Sequence, residues 1–547
     1  MEQEKKHLNK IIILLLFLCL AALHFSSINS ELNGLGGDNA GYVMLAKSMA
    51  DFNGYRDLAP GDPLNSHWHP LFPMMLTPTI WLLGINYVAM HTLVVFCEFL
   101  GLILLFFFFR RKEGTALAML CCAIFGLNYF VNLFLVQILT EYPSIMFTAA
   151  VLLLEEKFKD RDRGSVPYLW LPVLIGLTYM TRKAALTVFL AYMLYRLCRG
   201  QFKLLLFSVP LMALPYLLWS WRAKMVGGED LYVSTFFKKN YTDPGLGNVS
   251  VLEFFERVGT NLERLAGSIY DFLAPVMVPS GKIIIYLAMA VIVAGFIHQA
   301  VKRKFSLLEW YVLVYVAVLA VWPVFEARKV MPVMPFVYFY FFVGIRLLCG
   351  FIPKVSKARS GQKLPYFSRF GGLPTVLSVF VSLLFVFFQM PPTIALHKIR
   401  SMPLMYPDSA DPKYGGFSID WSHYCETFGW ITSGTFQRDA VGWGDYLYLS
   451  HLLGQKTPPD ANVISRKGKT TTLFSQRRAI TYTFYRDIEK QRQYLKEKDI
   501  DFILLDGMFG STRDYLLPYL QDNSENFKVV AQQGRAFILQ VKDKNAL

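Results

Sequence analysis

The stretch VAMHTLVVFCEFLGLILLFFFF, residues 88–109, is followed at once by Arg110-Arg111-Lys112. About 20 apolar residues cross a bilayer as a helix, and a cation cluster at one end marks the cytoplasmic side of such a span. Outward from it, further apolar segments run near Ile11–Leu23, Thr115–Phe130, Ser144–Leu154, Tyr168–Met180, Ala184–Leu197 and Leu204–Trp221. Others follow near Ile283–Gln299, Leu307–Phe325, Met331–Leu348 and Pro374–Gln389, which makes about eleven transmembrane helices. Threading the chain through them puts Lys5-Lys6, Arg110–Lys112, Lys157 to Arg163, Arg196 to Lys203, Lys302–Lys304 and Lys354–Arg369 on one side. That is the positive-inside pattern. The expected fold class is therefore an α-helical polytopic membrane protein over residues 1–390, N-terminus cytoplasmic, with an extracytoplasmic α/β domain over residues 391–547. The expected location is the cell's inner (cytoplasmic) membrane, crossed many times.

Composition agrees. Of 547 residues, 54% are hydrophobic and 17% charged, whereas soluble domains carry about a quarter charged residues. The net charge of +15 sits in short runs beside apolar segments and accompanies no nucleic-acid-binding pattern, so nucleic acid is not an expected partner. Six of the seven cysteines lie in apolar segments, Cys425 stands outside them, and no CxxC or Cys/His cluster points to zinc or redox work. Lys5, Lys6 and Lys10 ahead of Ile11–Leu23 resemble a signal peptide. The later spans need that helix to fix their orientation, so it reads as an uncleaved anchor.

The same threading places Asn29–His69, Asn132–Tyr142, Arg222–Ala274 and the turn Glu326–Lys329 on the outer side. Ala40–Phe52 has the spacing of an interfacial amphipathic helix, and Trp68–Gly84, apolar but Pro-rich, suits a half-buried one. Beyond Pro391 the pattern becomes alternating strand and helix. Asn462–Ser465, Ala479–Phe484, Asp501–Leu505, Phe527–Ala531 and Ala536–Val541 read as strands, and Asp487–Lys498 and Tyr515–Gln521 as helices. Gly507–Gly510 reads as a turn rather than a phosphate loop.

Charges gathered at one membrane boundary carry a functional hypothesis. The acids are Asp38 in GGDNAGY and Glu141 in ILTEYP; the cations are Arg182-Lys183, Arg222 and Arg328-Lys329, with His67 and His69 in HWHP. Sugar transfer to a hydroxyl needs a carboxylate to take the acceptor proton and cations to hold a departing phosphate. A lipid-linked donor also needs an apolar groove. Each residue has a plain structural alternative: Asp38 and Glu141 as helix caps, Arg182-Lys183 and Arg328-Lys329 as turns, the histidines as loop residues. Asp38, His67, His69 and Glu141 could together take a divalent cation, though their spacing does not require one. Trp68, Tyr232, Phe236 and Tyr241 are candidates for stacking on a sugar or for the interfacial belt.

At these residues the chain resembles the C-type membrane glycosyltransferases, the class of the protein O-mannosyltransferases and lipid A aminoarabinose transferases. The resemblance is carried in order by Gly37-Asp38-Asn39-Ala40-Gly41-Tyr42, His69-Pro70-Leu71-Phe72-Pro73 and Thr140-Glu141-Tyr142-Pro143. A turn similar to the family's ERYLLPVLPF pattern follows at Glu326–Phe336, and Pro458–Ser465 opens the tail domain. It implies a polyprenyl-phosphate sugar donor drawn from the membrane lipid, inversion at the sugar carbon, and a lipid, glycan or protein acceptor in the cell envelope. Asp38 would be base or acceptor-orienting carboxylate, with Glu141 a second catalytic acid. Arg328 and Lys329, with Arg182 and Lys183, would hold the donor phosphate, and His67, His69 and Tyr42 the acceptor or sugar. The chain departs from the family where Asp38-Asn39 replaces a pair of acids, Lys329 replaces the aromatic of ERY, and His69-Pro70-Leu71 replaces Lys-Pro-Pro. The rival readings are a multispanning lipid or solute transporter, which would show midplane charges and repeated halves, and a scaffold.

Overall fold

A computed structural model describes residues 2–30, 32, 37–159, 167–227, 235–240, 246–273, 282–360, 373–400, 405–407, 417–419 and 436–544. Tyr232, Tyr241 and Cys425 lie outside them. Each expected span overlaps a helix, but Thr115–Phe130 is divided at Asn128 and Leu307–Phe325 leaves its helix at Val321. Among the described residues, five helices are long and apolar enough to cross a membrane: His7–Ser26, Tyr87–Glu113, Phe202–Met225, Lys282–Lys302 and Ala327–Cys349. Thr115–Leu127 and Tyr129–Leu135, bent by 58°, pass that requirement as a broken pair. Glu141–Phe158 and Leu307–Val321 are shorter and bury much of their surface inside the bundle. The chain is a multi-pass membrane protein.

The Tyr87–Glu113 helix shows how the sequence sets an element. The Asn86 side chain accepts a hydrogen bond from the Ala89 amide, and Gly114, at φ 93°, stops the helix after three consecutive cations. The last of those cations enters a paired cluster. Lys112 Nζ lies 2.9 Å from Glu156 and donates to Ser306 Oγ at 2.9 Å. Ser306 in turn caps the Leu307–Val321 helix in a reciprocal box with Glu309. Arg196–Glu155 at 2.5 Å and Lys302–Glu113 at 2.6 Å belong to the same end. Glu141 opens the helix whose last turns carry Glu155 and Glu156, so the charged groups at its two ends are about 20 Å apart.

Two glycines bring the Lys282–Lys302 and Met334–Ser360 helices into backbone contact. A Cβ on Gly295 would stand 2.0 Å from the Tyr340 carbonyl oxygen, and one on Gly344 2.1 Å from that of Val291. Small residues at such crossings substitute close packing for the hydrophobic drive that lipid removes.

The Leu373–Arg400 helix runs through Pro391-Pro392 toward the C-terminal sheet. Strands β1 (Met405–Pro407) and β2 (Phe417–Ile419) pair by themselves. The main sheet has β3 (Asn462–Ser465), β4 (Arg478–Thr481), β5 (Phe502–Leu505), β6 (Phe527–Gln533) and β7 (Ala536–Val541) in the order β4-β3-β5-β7-β6. β3 is parallel to β4 and β5, while β7 is antiparallel to β5 and β6. The short helix Gly468–Ser475 connects β3 to β4 and Ile488–Glu497 connects β4 to β5, the latter capped by Asp487. The Tyr515–Gln521 helix of the sequence reading begins as a π turn, Thr512–Leu516, before Leu517–Asp522. The sheet domain docks on the bundle through Arg478–Asp62 at 2.7 Å and a Thr472 Oγ1 bond to the Leu58 carbonyl at 3.3 Å.

Gly344→Ala is expected to destabilise the protein by about 1–3 kcal/mol through overpacking, read as a lower thermal midpoint in detergent. Gly259→Ala, where a Cβ meets nothing within 4 Å, is expected to be neutral or slightly stabilising, since alanine is the better helix former.

Candidate active site

At the end of the bundle where the sheet domain docks is a cavity of about 250 Å³. Asp38, Tyr42, His67, His69, Glu141, Arg182, Lys183, Arg328 and Lys329 all line it. The residues singled out in the sequence thus come together from five separate segments. Trp68, Thr140, Thr181, Trp322 and Glu326 complete much of the wall.

Asp38 is the first residue of the Asp38–Ala50 helix, and the turn into it needs Gly37 at φ 106°. Three residues on, the ring of Trp68 covers the helix so closely that a Cβ on Gly41 would stand 1.8 Å from it. Trp68 and Tyr42 rings meet at 4.6 Å. Glu141 starts the Glu141–Phe158 helix, buried, and pairs with Arg182 Nη1 at 2.8 Å. Arg182 and Lys183 stand where the Pro167–Thr181 helix gives way to a short 3₁₀ turn. Arg328 and Lys329 open the 3₁₀ stretch Ala327–Val333, which Tyr315 secures by donating to the Lys329 carbonyl at 2.8 Å.

Arg328 is the hub. Its Nη2 lies 2.5 Å from Asp38 Oδ2 and its Nε 2.7 Å from Glu326 Oε2. Lys329 Nζ donates to the Val324 carbonyl at 3.0 Å and lies 3.6 Å from Glu326. Burial pushes the Asp38 carboxyl up, but the Arg328 guanidinium, with Lys469 and Lys467 behind it, outweighs that and holds it below the usual carboxylate range. The wall therefore carries three acids against four cations, and each acid is already paired with an arginine.

One sequence candidate sits elsewhere. Arg222 does not line the cavity; it donates to the Asn65 carbonyl at 2.6 Å and covers the Tyr55 and Trp219 rings, fastening the 55–65 loop. His69 is buried with its ring 4.4 Å from that of Tyr179. Among the described residues no group of three or more His, Cys, Asp or Glu side chains could hold a metal ion. Glu141 is engaged by Arg182 instead. Glu326 was missed as a site residue, although its place beside Arg328 in the quoted turn is a signal. Lys467 and Lys469, which reach the site from the sheet domain, left no signal in the sequence.

Replacing Glu141 by Ala leaves Arg182 buried without its partner, an expected loss of about 3 kcal/mol in stability. Pairing it with Arg182→Met should recover most of the thermal midpoint; equal midpoints for the two variants would show that the pair is not what costs.

No protein-family model and no curated protein sequence matches the chain. Solved structures do. ArnT from Cupriavidus metallidurans bound to undecaprenyl phosphate superposes with a TM-score of 0.54 at 12% identity, over 96% of this chain and 97% of that one. The same protein in the apo state gives 0.51 at 13%, over 98% and 99%. The archaeal oligosaccharyltransferase AglB from Archaeoglobus fulgidus, in complex with an inhibitory peptide and a dolichol-phosphate, gives 0.52 at 12%, over 91% and 69%. The chain has the fold of the C-type membrane glycosyltransferases.

Proposed function

We propose that the chain is a glycosyltransferase that moves a monosaccharide from a polyprenyl-phosphate carrier to a hydroxyl of a cell-envelope acceptor at the outer face of the inner membrane. The observation that carries this is one cavity, at one end of an apolar bundle, whose wall alternates carboxylates with guanidinium and ammonium groups. Similarity to folds solved with undecaprenyl phosphate and with dolichol-phosphate supports the donor class.

In this reaction the acceptor oxygen attacks the anomeric carbon as the bond from that carbon to the phosphate oxygen breaks. The sugar inverts, polyprenyl phosphate leaves with the bonding electron pair, and the hydroxyl proton passes to Asp38. Arg328, Lys329, Arg182 and Lys183 hold the phosphate as its charge develops. Glu141, with Oε2 buried and lacking a hydrogen-bond partner among the described residues, would accept from a substrate hydroxyl. Tyr42 and Trp68, which line the cavity, would border the sugar, with His67 and His69 beside them.

A carboxylate held by Arg328 is a weak base. The donor phosphate competes for that same guanidinium, since a phosphate oxygen satisfies the N–H geometry as well as a carboxylate does. Donor binding would thereby free Asp38 at the moment its basicity is needed.

The test is release of free polyprenyl phosphate by protein in lipid discs, across a panel of polyprenyl-phosphate sugars with a cell-envelope extract as acceptor. Asp38→Asn should lower kcat by roughly 10²–10⁴, and Arg328→Lys should lower kcat while leaving the fold intact. Release from no donor by the wild type would overturn the reaction; equal release by wild type and Asp38→Asn would overturn the base.

A further inference from the structure

The loop after β3 reads Arg466-Lys467-Gly468-Lys469, and it leaves the carboxyl end of a central parallel strand, where α/β sheets place their functional loops. Its backbone is fixed from within the sheet domain. Tyr446 Oη accepts from the Lys467 amide at 3.1 Å, and Thr481 Oγ1 from that of Gly468 at 3.3 Å. A Cβ on Gly468 would stand 2.6 Å from the Ile480 backbone. What this rigid loop presents is directed at the bundle. Lys467 Cδ lies 4.0 Å from the Cβ position of Gly37, and Lys469 Cδ 2.9 Å from that of Gly41. Glycine stands at both positions of the Asp38 segment that the lysine stems approach. Lys469 Nζ sits 3.4 Å over the centre of the Trp68 ring and 3.7 Å from Asp57.

We propose, building on the transferase reading, that the sheet domain is part of the catalytic centre. In this arrangement Lys467 is the positioning residue that supplies standing positive charge beside Asp38, and Lys469 is the buttress that holds the Trp68 wall. The division of labour follows from Arg328. When that guanidinium turns to the donor phosphate, Asp38 loses its nearest counter-charge, and the loop lysines remain because their backbone is pinned within another domain.

The groups facing Lys467 make its charge sensitive to pH. Burial, aided by Arg466 and Arg328 and opposed by Asp38 and Asp506, lowers its ammonium to about 8. It is charged below about pH 8 and neutral above, so a reaction that depends on this charge declines as pH rises through that value.

The experiment compares wild type, Lys467→Gln, Lys467→Arg and an exposed control, Lys490→Gln, each in lipid discs and each checked for an unchanged thermal midpoint. The readout is polyprenyl phosphate release as kcat and KM from pH 6.5 to 9.5. Lys467→Gln should lose about tenfold in kcat at pH 7, the equivalent of one pKa unit of interaction, with KM little changed. Lys467→Arg should restore kcat and remove the decline above pH 8, since guanidinium stays charged throughout. A Gln variant as active as wild type overturns the inference, as does an Arg variant no better than Gln, which would mark a packing role alone. A wild type that releases nothing from any donor overturns the transferase reading and this inference with it.

Discussion

The Arg328–Asp38 pair joins residues 290 positions apart in the chain, and the organisation of the site depends on it. A charged group at a membrane boundary is costly unless hydrated or paired. Bringing the Ala327–Val333 turn against the Asp38–Ala50 helix meets that requirement for both partners. Glu326, bonded to the same guanidinium, fixes which way Arg328 points, and Tyr315 fixes the turn from below through the Lys329 carbonyl. Glu141 and Arg182 repeat the device one step across the cavity. Without the pairing, Asp38 would lose its nearest counter-charge, while the apolar packing of Val43, Val330, Met331 and Val333 would still hold the segments together.

The same rule shapes the opposite end, with a different outcome. There Lys112, Glu156, Ser306 and Glu309 form a closed set in which every charge or cap is used in tying helix ends together. A much smaller cavity of about 30 Å³ lies beside them. The two ends of the Glu141–Phe158 helix thus carry comparable charged clusters, one tightly packed and the other built around a cavity large enough for part of a substrate. What sets the site end apart is what faces its cluster: the loops of residues 51–70 together with the sheet domain.

This contrast explains what could be read from the sequence. Arg182, Arg328 and Asp38 interrupt or border apolar runs, so they had to lie at span ends, and span parity put them at one end. The helices were equally legible, because runs such as residues 88–109 leave the backbone no alternative in lipid. The strands β3 to β7 were readable from their short apolar blocks between turn residues. Arg222 was placed at the correct end, but its partner is the Asn65 carbonyl, and backbone acceptors leave no mark in a sequence. The bend between Leu127 and Tyr129 was read as one span because Asn128, which caps the second piece, is a single polar residue in an apolar run. Lys467 and Lys469 were invisible for a deeper reason. Domain docking depends on shape, here on Trp68 lying across Gly41, and neither residue announces the other.

Asp38 shows why the charges must be shared rather than merely present. A carboxylate with one strong partner is ionised but unreactive, since taking a proton means surrendering that partner. A carboxylate with no partner in this setting would be pushed up by burial, and its neutral form could not accept a proton at all. The useful condition lies between the two: a counter-charge that the substrate can borrow and a weaker field that it cannot. In the proposed reaction Arg328 would meet the first condition, since a donor phosphate would compete for it directly. The second must come from groups held by a part of the protein that does not move with the donor. A loop pinned to Tyr446 and Thr481 within the sheet domain satisfies that requirement, and the glycines at 37 and 41 let it approach.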